Sequence, residues 1–202
     1  MQMTADGGME FFMPNGQGGW KSFEKILMED TLTTSPITFD KTGTVLYMID
    51  SRGRNTAALM ALDLKTNERK LIFEDPRADV SNLMVHPTEK KVEAAAVEYL
   101  RTEWKILDES IRGDLSYLQS NSEGDISVTD RTLDDMFWTV SSMVDDGPVR
   151  YYLYDRARKK ARFMFTNRQD LEKVKLSKMH PVVIKSRDGL NLVSYLTLSP
   201  AL

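Results

Sequence analysis

Few residues in this chain have the types and spacing that chemistry needs. An acyl-transfer serine sits on a sharp strand-to-helix elbow, usually with glycine two residues before it and two after. Ser51 has Gly53 after it but Ile49 before it, and Ser122 has Gly124 after it but Ser120 before it. No serine in the chain has glycine on both sides. His86 and His180 are the 2 histidines, and each precedes a proline, which biases it to extended or turn backbone. Either could act as a base or a metal ligand. No carboxylate cluster at ligand spacing accompanies them in the sequence, so a structural role is expected. Asp134-Asp135 and Asp145-Asp146 resemble carboxylate pairs. Neighbours on a strand point to opposite faces, and turns favour aspartate, so local turn hydrogen bonding is expected of both pairs. Arg150 to Arg162 mixes basic and aromatic residues, as a nucleic-acid patch does. The acidic balance elsewhere favours a solvated basic turn. No catalytic, cofactor-binding or metal-ligating residue is assigned.

Composition narrows the classes further. The 202 residues are 41% hydrophobic and 28% charged, with a net charge of -3. That is an ordinary globular balance, and it gives no reason to expect a nucleic-acid partner. Cysteine is absent, which excludes disulfides, cysteine-ligated zinc and a thiol nucleophile and fits a cytoplasmic protein. No apolar run approaches the ~20 residues needed to cross a bilayer, and the first residues lack the features of a signal peptide.

What must position any site is a series of short strands. Leu46–Ile49, Ala58–Leu64 and Lys70–Phe73 are β-type runs joined by polar turns, the pattern of an antiparallel meander. Met136–Ser141, Val149–Tyr154 and Ala161–Phe165 repeat that layout. Asp63 and Asp155 end corresponding strands, and their separation (155 − 63) is two steps of about 46 residues. Propeller blades recur at roughly 40–50 residues. A middle copy is therefore expected from residue 83, with Val92–Tyr99 as a strand. Its three alanines leave a helix over Val92–Leu100 open as the alternative. Apolar residues at 107, 111, 115 and 118 predict a helical insertion over Ile106–Leu118. Trp20, Trp104, Trp138 and the 12 methionines are expected to fill gaps between packed blades.

The two ends differ. Met9–Met13, a glycine-rich turn and Trp20–Ile26 read as the last strands of a preceding blade, so the chain reads as a truncated one. Met179-His180-Pro181 marks a break. Val182–Lys185 and Leu190–Leu198 then form a hairpin around Ser186-Arg187-Asp188-Gly189, stopped by Ser199-Pro200.

From His180 to Pro200 the chain resembles the start of the peptidase domain in the prolyl oligopeptidase family. The specific part is the Arg-Asp-Gly turn and the tail Tyr195-Leu196-Thr197-Leu198-Ser199-Pro200. Ser35-Pro36-Ile37-Thr38-Phe39-Asp40-Lys41-Thr42-Gly43 resembles that family's blades, with the usual Ser-Pro-Asp-Gly turn degraded. The resemblance implies a mainly β fold: a partial β-propeller over 1–178 with a short helical insertion, then the opening hairpin of an α/β-hydrolase over 179–202. It implies a serine peptidase whose propeller gates peptide substrates. It also implies that the Ser-Asp-His triad lies in a missing hydrolase domain, so this chain alone is inactive. No cofactor is implied. A stand-alone or degenerate β-propeller-like interaction module is the alternative.

Overall fold

The computed structural model describes residues 1–199, so Pro200, the expected stop of the last strand, lies outside the described residues. The chain divides into two compact units, one ending at Val80 and the other beginning at Ser81.

In the first unit, β1 (Gln2–Met3), β2 (Met9–Pro14) and β3 (Trp20–Ile26) form a three-stranded antiparallel meander. The expected glycine-rich turn joins β2 to β3. The Asn15 side chain accepts from the N–H groups of Gln17 and Gly19 at 2.8 and 2.9 Å. Next come β4 (Ser35–Phe39), β5 (Val45–Asp50), β6 (Ala58–Asp63) and β7 (Arg69–Phe73), a four-stranded sheet in chain order. Strand β5 alternates, burying Leu46, Met48 and Asp50 and leaving Tyr47 and Ile49 partly covered, as a half-buried strand must. Leu46, Met48, Ala58, Met60 and Leu62 make the core, with Phe23 and Leu64 against it.

The second unit holds β8 (Val80–Val85, from its second residue on), β9 (Val92–Glu98) and β10 (Thr102–Ile106), then helix α1 (Arg112–Asn121). Val92 to Val97 are all buried. This segment is a strand, not the alternative helix. With β8 and β10 paired on its two sides, its small alanines fit a sheet covered on both faces, and packing overrides helix propensity. The helical insertion is present but begins later than its apolar spacing predicts. Ile106 belongs to β10, opposite Ala94. The Asp108 side chain accepts from Ser110 N–H at 3.0 Å and starts a 3-10 turn over Glu109–Ile111. Ile111, Leu115 and Leu118 are the buried stripe, as the spacing requires. Four strands follow in chain order: β11 (Asp125–Arg131), β12 (Phe137–Met143), β13 (Arg150–Asp155) and β14 (Lys160–Thr166). The hairpin β15 (Met179–Lys185) and β16 (Asn191–Thr197) forms a two-stranded sheet.

The two four-stranded sheets share one register, displaced by 92 residues. Val45 faces Asp63 as Phe137 faces Asp155. Ile37 is the unpaired bulge residue between β4 and β5, and Thr129 is its counterpart between β11 and β12. Ile72 and Met164 are skipped in the same way in the last strands. A bulge re-aims one side chain and adds twist, so each of these sheets is shaped alike. The turn before each second strand also recurs, at steps of 46 (86 − 40 and 132 − 86). Asp40 N–H donates to Val45 O, His86 N–H to Lys91 O, and Thr132 N–H to Phe137 O, at 2.9, 2.8 and 3.0 Å.

Candidate functional site

The densest polar cluster lies inside the second unit, around Trp138. Strand β12 buries that indole completely. Its N–H donates to Asp135 at 2.8 Å. The Arg131 and Arg156 guanidiniums lie 4.7 and 4.8 Å from the ring centre, within reach of cation–π attraction. Arg131, at the end of β11, bridges Glu93 on β9 and Asp135, at 2.5 Å from each. Arg156 follows β13, binds Asp135, and reaches Asp114 on α1 at 2.9 Å. Lys159 also binds Asp114, and Tyr154 O–H donates to it at 2.8 Å. Tyr154 stacks on Tyr117 of the helix at 5.4 Å. The cluster joins two sheets and the inserted helix of this unit.

Its electrostatics are closed. Glu93, Asp114 and Asp135 face Arg131, Arg156 and Lys159, so three negative charges meet three positive ones. Burial pushes the Asp114 carboxyl up, but hydrogen bonds from Lys159, Tyr154 and Arg156 outweigh it and hold it below the usual carboxylate range. Burial, helped by Asp114, pushes the Tyr154 phenol well above its ordinary value. Burial disfavours the Arg131 charge, yet Asp135 and Glu93 outweigh that and raise it. A carboxylate held as Asp114 is makes a poor general base. Arg131 Nη2 is buried without a hydrogen-bond partner, so its side chain relies on the ion pairs and the indole face.

His86 lies at the edge of this cluster. Its Nδ1 accepts from the N–H groups of Thr88 and Glu89 at 3.3 and 3.1 Å. Asp40 holds the matching position one repeat earlier and likewise accepts from the N–H two residues on, Thr42, at 3.3 Å, as well as from Thr44 and Val45 at 2.9 and 2.8 Å. The sequence shows no carboxylate cluster at ligand spacing beside His86, but the fold brings carboxylates to it. Ligand atoms of His86, Glu93 and Asp135 lie within 4.8 Å of one another. The Arg131 guanidinium already sits between the two carboxylates, so a cation would have to displace a buried, paired charge. The donor set does not fit a resident metal.

The other sequence candidates separate. Asp134 does the expected turn work, accepting from Thr132 O–H and Met136 N–H at 2.5 and 3.1 Å. Asp135 does not: at φ 58 its side chain turns into the cluster. The Ser51 hydroxyl donates to Asp30 at 2.7 Å and meets Thr33 and Thr34, with neither histidine among these partners. Ser122 ends α1 in extended backbone. The basic run is mostly paired: Arg150 with Glu123, Arg158 with Asp155, and Arg156 and Lys159 with the cluster. Trp104 donates to Ile126 O at 3.1 Å, whereas Trp20 is 70% exposed. Met48, Met60 and Met84 fill core space, while Met1, Met3, Met28 and Met143 lie at the surface. Glu93, Arg101, Asp114 and Arg131 were not singled out by sequence, because nothing local marks them.

His180 lies on β15 beside a second cluster. Arg101 follows β9 and pairs in bidentate fashion with Asp145, at 2.5 and 2.7 Å. It also donates to Met179 O at 3.1 Å. Asp125 lies close by, and burial pushes its carboxyl up.

Antiparallel blades followed by a hairpin are what the chain shares in fold with dipeptidyl peptidase and prolyl endopeptidase structures, and in sequence it matches dipeptidyl peptidases of the prolyl oligopeptidase family along part of those relatives' length. In sequence it is similar to dipeptidyl aminopeptidase BIII of Pseudoxanthomonas mexicana, 46% identical over 193 residues, which is 96% of this chain and 28% of that protein. It is also similar to dipeptidyl peptidase family member 6 of Caenorhabditis elegans, 29% identical over 205 residues, again 96% and 28%. In fold it resembles Porphyromonas gingivalis dipeptidyl peptidase 4, with a TM-score of 0.60, 12% identity, and 94% of this chain aligned to 28% of that one. A prolyl endopeptidase structure gives 0.58 at 13% identity, with 92% of this chain aligned to 27% of that one. No protein-family model matches the chain.

Proposed function

We propose that this chain is the non-catalytic propeller part of a serine peptidase that hydrolyses peptides. In this reading residues 1–178 gate substrate access, and residues 179–202 open the hydrolase domain. The observation that carries it is the 46% identity to a dipeptidyl aminopeptidase across nearly the whole chain. The closed charge cluster supports a scaffolding role, since its carboxylates are engaged with cations. Gating by size is a steric matter. A helical peptide is about 10–12 Å across, and a small domain is ~30 Å, so blades that admit the first can exclude the second.

A chimera tests the proposal. Residues 1–202 replace the aligned segment of the Pseudoxanthomonas relative, and hydrolysis of dipeptide chromogenic substrates is compared with that of longer peptides and folded proteins. Retained turnover with an altered preference for substrate length supports the reading. Retained turnover with unchanged preference would remove the gating role. A folded chimera with no turnover would remove the peptidase assignment.

A further inference from the structure

Arg101 and Asp145 do more than neutralise each other. Arg101 donates to the Met179 carbonyl at 3.1 Å, and the Met179 N–H faces the Asp145 carboxylate and helps hold it below the usual carboxylate range. One ion pair therefore grips both polar backbone groups of a single residue. That residue is the first of β15. It follows a segment without regular structure over 174–178, so the chain direction here is not imposed by a preceding strand. A second link lies on β16: Tyr195 O–H donates to Leu100 O at 3.1 Å, beside Arg101. The loops carrying Arg101 and Asp145 follow β9 and β12. The hairpin is thus tied to two different sheets of its own unit. Gly124 tightens the same place. At φ 75, a Cβ on it would meet Met143 O at 2.0 Å, so the backbone beside Asp125 approaches β12 closely.

We propose that the Arg101–Asp145 pair is a positioning clamp that fixes the direction in which the β15–β16 hairpin leaves the blades. A carboxylate-bound guanidinium keeps its remaining N–H groups in a fixed plane, and a carboxylate has lone pairs to spare for a backbone N–H. The pair therefore presents one donor and one acceptor at a set spacing, complementary to one residue's C=O and N–H. Lys178, Asp125 and Tyr195 also face the pair electrostatically, and none supplies both functions. The clamp goes beyond the peptidase reading and holds whether or not the hairpin opens a hydrolase.

Backbone hydrogen exchange on the 202-residue chain tests it. Arg101→Ala should speed exchange of the β15 and β16 amides about tenfold, the scale of losing one charge-assisted hydrogen bond, and leave β12 and β13 protected. Asp145→Asn keeps shape and should act the same way if Arg101→Ala does not fold. Arg101→Lys should fall between, because one ammonium cannot hold Asp145 and Met179 O in the same plane. The reversed pair, Arg101→Asp with Asp145→Arg, is the deciding variant. It restores opposite charges but sets a carboxylate against a carbonyl and a guanidinium against an N–H. The clamp predicts no rescue. Rescue by the reversed pair, or unchanged hairpin exchange in Arg101→Ala and Asp145→Asn, would overturn the proposal and leave an ordinary surface ion pair.

Discussion

At the scale of single residues, Asp135 carries the most weight. It takes a hydrogen bond from Trp138 and ion pairs from Arg131 and Arg156. Asp135→Asn keeps its shape and removes its charge, leaving two cations short of a partner. Breaking a buried pair in this way costs about 3–5 kcal/mol, so the urea midpoint should fall with an unchanged slope. Asp114 gives the pH dependence. Its folded pKa lies below the unfolded value of about 3.9. The stability it contributes is present above that value and is lost as pH falls through the lower, folded one. The unfolding midpoint should drop as acid is added below about pH 4, and Asp114→Asn should flatten that drop. Asp135 was legible only as a turn aspartate. Its place in the left-handed region was foreshadowed by Gly43, which holds the matching position 92 residues earlier, also at positive φ. Its role was not legible, because Arg156 reaches it from beyond β13, and ion pairing across a fold leaves no local spacing.

At the scale of elements, the blade turn is a backbone object that several side chains can cap. Like the Asp40 carboxylate, the His86 imidazole nitrogen accepts from the N–H two residues on, Thr88 in one turn and Thr42 in the other. His86→Asn should keep the cap and stay within about 0.5 kcal/mol of the parent, as substitutions that leave such features intact do. His86→Leu loses the acceptor and should cost about 1 kcal/mol, the usual scale of a lost hydrogen bond. Thermal unfolding of the two variants separates a capping histidine from a neutral bystander. The strands were readable because alternation and turn chemistry are local. The start of α1 was not, since pairing of Ile106 with Ala94 and capping by Asp108 overrode the apolar spacing. The paired bulges at Ile37 and Thr129 were invisible too, because a bulge changes pairing without changing composition.

At the scale of the whole molecule, the hairpin sets behaviour in solution. Val182, Val183, Ile184, Leu192 and Leu196 are 38–52% exposed, and apolar strands with open edges invite association. Light scattering of the chain should rise with concentration, and Ile184→Lys with Leu196→Lys should suppress that rise without shifting the thermal midpoint. The blade architecture was legible because a repeat near 46 residues survives in the strand-ending aspartates. The clamp was not, since it joins residues 78 apart, from Arg101 to Met179. Strand order has a kinetic consequence as well. Every strand in the described sheets pairs with its neighbour in sequence, so each meander closes only short loops and can form early. The charge cluster joins distant segments, 38 residues apart for Arg131 and Glu93 and 42 for Arg156 and Asp114, and should lock last. Stopped-flow measurements on Asp135→Asn should then show faster unfolding with a nearly unchanged folding rate. Charges that form after the transition state act as a brake on opening: they set how long the blades stay folded more than how fast they fold.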